Sequence, residues 1–147
     1  MVIYRSVALL LVVLIFSSCK KDEDGLSVVP QLTFESISPT SIEEFGGPIT
    51  FSISYQDGDG DLGENDPNVK NLFLQDQRNG ITYEYRIQEL APQGADIAII
   101  GTIDIVLNTT SITDGSNEQE VTFDIYAIDR AGNSSNTITS SPLTIYK

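Results

Sequence analysis

The chain has 147 residues and a formal net charge of −13, with 8 Lys and Arg against 21 Asp and Glu, one Cys, no His and no Trp. Such acidity repels phosphate backbones, which argues against a nucleic-acid partner. The absence of His removes Ser-His-Asp and Cys-His catalysis and ordinary zinc chemistry.

Taken in chain order, Met1–Ser18 carries a cationic head at Arg5, an apolar run from Val7 to Phe16, and two small residues before Cys19. That is the layout of a secretory leader. The run falls short of the roughly 20 apolar residues that a bilayer span needs. Ser17-Ser18-Cys19 after an apolar run resembles the lipobox of bacterial lipoproteins, with Phe16 where Leu is usual. The resemblance implies cleavage before Cys19 and lipidation of that residue, which anchors the chain in a membrane. Lys20-Lys21-Asp22-Glu23-Asp24 follows directly. It resembles the export signal of Bacteroidetes lipoproteins, which implies an outer-membrane anchor facing the cell exterior. A solvated tether is the plainer reading of the same charge run.

Residues 1–18 are thus expected to be a leader, 19–30 a lipidated and acidic tether, and 31–147 one domain. With Cys19 lipidated, no thiol is left for a disulfide, so stability must come from a core, with or without a metal.

From Leu32 onward the pattern is β. Leu32, Phe34 and Ile37 suggest a first strand, ending at Ser38-Pro39. Ile49, Phe51, Ile53 and Tyr55 alternate with Thr50, Ser52 and Ser54, the period of a strand with one buried face. A strand from Val69 to Gln75 leads into Arg78-Asn79-Gly80, and Asn-Gly is a hairpin signal. Beyond the turn, Ile81, Tyr83, Tyr85 and Ile87 alternate with Thr82, Glu84 and Arg86. Tyr83 and Tyr85 read as core or cross-strand packing in preference to a ligand platform. In the strand from Ile99 to Leu107, Ile103, Ile105 and Leu107 share a face. Val121, Phe123, Ile125, Ala127 and Asp129 share a face of the next, opposite Thr122, Asp124, Tyr126 and Ile128. Thr137 to Tyr146 closes the chain, with Pro142 marking a bulge or an edge. About seven strands with no helical period point to an all-β, immunoglobulin-like or fibronectin-like antiparallel sandwich. A small barrel is the competing architecture.

One loop carries chemistry. Gln56 to Asn68 reads QDGDGDLGENDPN. Asp57, Asp59 and Asp61 fall at alternate positions, and Glu64, Asn65 and Asp66 add further oxygens. A hard cation such as Ca²⁺ takes six to eight oxygens at about 2.3–2.6 Å. Carboxylates this close repel one another without a cation. The spacing resembles the start of an EF-hand loop, but Leu62 stands at its glycine position and Asn68 at its bidentate Glu position. An EF-hand is excluded. A Ca²⁺ loop between strands and an acidic solvated turn both remain open. The late run Asp129-Arg130-Ala131-Gly132-Asn133 belongs at the same end of an immunoglobulin-like sandwich. Asp129 and Asn133 are candidate ligands there. Otherwise the run is a tight turn with positive φ at Gly132 and Asn133, and Arg130 pairs with a carboxylate.

The early D-G-D-G-D-L-G with the late D-R-A-G-N-x-S-N resembles small Bacteroidetes surface lipoproteins with immunoglobulin-like folds. The resemblance implies fold and location more than activity. The serines at 134, 135, 140 and 141 have no base to activate them, and Glu43-Glu44 and Glu118/Glu120 read as solvated loop residues. The leading expectation is a non-catalytic surface module stabilised by calcium, not an enzyme. The alternative is an accessory lipoprotein of an outer-membrane uptake system, with a surface protein or a glycan as partner.

Overall fold

A computed structural model describes residues 25–147. Cys19 and the leader and charged run around it lie outside the described residues. Among the described residues ten strands are present: β1 (Gln31–Ser38), β2 (Ser41–Glu43), β3 (Ile49–Asp57), β4 (Leu72–Asp76), β5 (Thr82–Tyr85), β6 (Ile99–Leu107), β7 (Glu118–Val121), β8 (Phe123–Ala127), β9 (Ile138–Thr139) and β10 (Leu143–Tyr146). The fold is the expected all-β sandwich. Among the described residues no helix is long and apolar enough to cross a membrane.

One layer is the sheet β1-β3-β6. The other runs through β5-β4-β8-β9 and β2-β10-β7. The count exceeds seven because two expected strands are broken and one short strand is added. Thr122 alone separates β7 from β8, and Ser140-Ser141-Pro142 separates β9 from β10. Pro142 has no N–H for a ladder, so the expected irregularity falls there. Ser140 bridges the break: its N–H donates to the Phe123 carbonyl (2.8 Å), and its hydroxyl accepts the Phe123 N–H (3.0 Å). The added strand, β2, departs from a purely antiparallel arrangement, since it lies parallel to β10.

Period-two patterning decides which side chains enter the core. Ile49, Phe51 and Ile53 of β3 are fully buried, as are Phe123 and Ile125 of β8 and Leu74 of β4. Phe51 and Phe123 meet edge to face with ring centroids 5.0 Å apart, joining the two layers. Tyr83 and Tyr85 stand opposite Leu74 and Leu72 and pack on the core, as the alternation implied. The Tyr85 hydroxyl reaches the Val106 carbonyl at 3.1 Å.

Three local expectations differ. β4 starts at Leu72, not Val69, because Val69 is exposed and its N–H closes a turn onto the Asp66 carbonyl. β5 excludes Ile81 and Ile87. Ile87 is buried all the same, its N–H and carbonyl both bound by the Asn71 side chain in place of a strand. The hairpin at Asn79-Gly80 is wider than a two-residue turn, closing through the Asp76 N–H to the Ile81 carbonyl. At the seam between the layers, the Asn136 amide accepts from the Leu32 N–H (2.7 Å) and donates to the Leu32 carbonyl (2.9 Å).

Residues 25–30, expected within the tether, run against the domain. Pro30 is buried, and the Ser27 carbonyl accepts the Gly58 N–H at 2.8 Å.

Candidate metal centre

The buried face of β3 is Ile49, Phe51, Ile53, Tyr55 and then Asp57. The buried face of β8 is Phe123, Ile125 and Ala127, and its period continues to Asp129 just beyond the strand. Each layer therefore runs its core face out into an aspartate at one end of the sandwich. Asp57 is fully buried and Asp129 nearly so. Burial of a carboxylate is costly unless it is paired or binds a metal.

Asp57, Asp59 and Asp61 converge: each offers an oxygen, and the three lie within 4.8 Å of one another. Oδ1 of each is buried and has no hydrogen-bond donor among the described residues. The second oxygens of Asp57 and Asp61 are engaged by the loop and the neighbouring turn. Asp57 Oδ2 accepts the Leu62 N–H (2.9 Å), and Asp61 Oδ2 accepts the Ala131 N–H (2.9 Å). These bonds hold the two carboxylates in orientation and leave one oxygen of each directed elsewhere.

Compensation of these charges among the described residues is slight, with Arg130 opposing only the rise of Asp61. Among the described residues no Lys or Arg makes an ion pair with any of the three. Burial pushes the Asp57 carboxyl up to about 6; the Leu62 N–H works against this, and the charges of Asp59, Asp61 and Asp129 add to it. Asp61 also rises to about 6, through burial and then the charges of Asp129 and Asp59, with the Ala131 N–H and Arg130 opposing. Repelled carboxylates with free, buried oxygens are what a hard oxygen-seeking cation satisfies. The donor set fits such an ion.

The remaining candidates do not join this group. Glu64 turns back on its own loop, its Oε1 accepting the N–H groups of Asn65 (2.8 Å) and Asp66 (3.2 Å). Asp66 is exposed, and its Oδ1 accepts the Asn68 N–H and side-chain amide, both at 2.9 Å. Asp129 lies near enough to raise both shifted carboxyls, yet Asn133 caps both its oxygens, through its N–H (2.7 Å) and its Nδ2 (2.8 Å). Asn133 thus braces the turn, which has positive φ at Gly132 (86°) but not at Asn133.

Arg130 is not paired chiefly with a carboxylate; among the described residues only Glu89 lies within reach, at 4.0 Å. Its guanidinium donates to the carbonyls of Gly63 (2.9 Å) and Gly60 (3.2 Å), and its own N–H to the Asp61 carbonyl (3.2 Å). This fork holds the loop in its curl. The connection between β5 and β6 is a second support that spacing alone does not reveal. Its Ile97 and Gln88 carbonyls sit where side chains would project from Gly60 and Gly63, which both have positive φ. Glycine is required at those two positions for closeness as well as for conformation.

At the other end of the molecule lies a buried aspartate of opposite circumstances. Asp76 is bound by both arms of Arg78, Nε to Oδ1 (3.0 Å) and Nη2 to Oδ2 (2.7 Å). Arg78 also donates to the Ser111 carbonyl, Gln119 Oε1 and Thr110 Oγ1.

No protein-family model, curated protein or solved structure matches this chain.

Proposed function

We propose that the chain is a non-catalytic, lipid-anchored cell-surface module whose sandwich is stabilised by a calcium ion at Asp57, Asp59 and Asp61. The observation that carries the cation is the set of three buried Oδ1 atoms without a donor. Oxygen-only ligands favour a hard cation over zinc or copper. The anchor rests on the lipobox-like Ser17-Ser18-Cys19 and the charged run after it. The non-catalytic reading rests on the absence of His, the base that serine and cysteine catalysis ordinarily uses. Because the converging oxygens are enclosed, the ion's work is internal: it neutralises the carboxylates and fixes the loop that ends β3.

The test is a thermal melt in EDTA and then in excess calcium. A ligand that binds only the folded state stabilises it by about 2.7 kcal/mol at a hundredfold excess over its dissociation constant. For a domain of this size that moves the midpoint by about 10 °C. Replacing Asp59 and Asp61 by Asn should abolish the rise. An unchanged wild-type midpoint at millimolar calcium would overturn the cation reading.

A further inference from the structure

The residue between the first two ligand candidates is Gly58, and its environment gives the loop a second task. Its N–H donates to the Ser27 carbonyl at 2.8 Å. A Cβ there would lie 2.8 Å from Ser27 O, 2.9 Å from Ser27 C and 3.0 Å from Leu26 O. Its φ is not in the left-handed region, so glycine is needed for room. The backbone of residues 26 and 27 occupies the place of the missing side chain. Further bonds hold the segment's own shape: the Val29 N–H donates to Ser27 Oγ (3.0 Å), and Gln31 Nε2 to the Val29 and Pro30 carbonyls (3.3 and 3.1 Å). Before β1 begins, the seat on Gly58 is a backbone tie of this segment that the ligand loop itself supplies.

We propose that cation loading of the Asp57–Asp61 loop latches the N-terminal segment Gly25–Pro30 onto the end of the domain. The latch rests on the calcium reading above. Asp57 and Asp59 flank Gly58 directly, so an ion that draws their carboxylates together fixes the peptide units on both sides of it. Without the ion, the carboxylates repel and the loop spreads. The Gly58 N–H then leaves its place under Ser27, and the segment detaches as far as Gln31, where pairing with Gln56 begins. Six residues so released add about 20 Å of reach. Coupling of this kind is reciprocal, so a docked segment also tightens the hold on the ion.

The experiment is hydrogen exchange of the full chain read by mass spectrometry, with calcium and with EGTA, beside a thermal melt of the same samples. Peptides covering residues 25–30, and those carrying the Gly58 amide that donates to Ser27, should exchange at least tenfold faster in EGTA. In Gly58→Ala with calcium they should exchange as fast as wild type does in EGTA, while calcium still raises the midpoint. If the midpoint responds to calcium but exchange over 25–30 does not, the latch is wrong and the calcium reading stands. If the midpoint does not respond, both fall. Protection in Gly58→Ala equal to that of wild type would also overturn the latch. Should that variant not fold, the wild-type comparison decides alone.

Discussion

Two ends of this sandwich bury aspartate in opposite ways. At one end Asp76 lies on the core side of β4, only 1% exposed, with Arg78 two residues away. At the other, Asp57 ends the core face of β3, 0% exposed, with two more carboxylates beside it and one oxygen of each unbound. The first end carries its own countercharge. At the second, Arg130 lies nearby but binds backbone carbonyls and makes no ion pair with the three aspartates. A buried charge that the chain leaves unpaired is affordable only with a partner from outside, whereas a paired one needs nothing. The two ends should therefore respond to different perturbations.

The largest effect should follow from taking the partner away where the chain supplies one. Arg78→Ala strands Asp76 and frees the Ser111 carbonyl, and it should cost about 3–5 kcal/mol in urea unfolding. That loss should be the same with calcium or EGTA. A loss that calcium repairs would break the contrast between the two ends.

Asp57→Asn should do the reverse of a usual core polar substitution. In EGTA it removes a repelled charge and leaves stability within about 1 kcal/mol of wild type or above it. In excess calcium it should forfeit the whole gain of about 2.7 kcal/mol. Equal destabilisation under both conditions would show that the carboxylate serves the fold without an ion.

The smallest effect should be on pH dependence. Asp57 and Asp61 hold protons up to about 6 in the folded chain, against 3.8 ordinarily. Proton binding is then stronger in the folded state, so this contribution to metal-free stability is complete below about pH 4 and is lost as pH rises through 6. Protons and calcium compete for the same oxygens, so the calcium-induced rise should shrink as pH falls below 6. Melts at pH 4.5 and 7.5, with and without calcium, read both signs. A calcium response that is flat across this range would separate the shifted carboxyls from the cation.

Much of this contrast was legible in the sequence, and some was not. The alternation from Ile49 to Tyr55 predicts the burial of the next odd position, and Asp57 occupies it. The run from Val121 to Ala127 predicts Asp129 in the same manner. Spacing also brought Asp59 and Asp61 to Asp57, because a curl of small residues leaves little else possible. Spacing could not exclude Glu64 and Asp66, since longer loops let a carboxylate turn back onto its own backbone, and both do. The role of Arg78 is hidden within a turn signal, because its partners Ser111 and Gln119 are more than 30 residues distant. In sequence, glycine signals freedom of φ. At Gly58, and again at Gly60 and Gly63, the structure adds a second need, room for another stretch of backbone, which no local pattern announces.

The Asn136 clasp has a mechanical meaning. A pull on the chain ahead of Gly25 meets the Ser27–Gly58 bond before the two bonds from Asn136 to Leu32. Only beyond these does it reach most of the β1–β3 ladder, seven residue pairs whose register shifts between Phe34 and Ser36. The side chain of one residue from the far layer thus ties the first strand to the opposite sheet near its point of entry. A load that would otherwise peel β1 alone is shared across both layers.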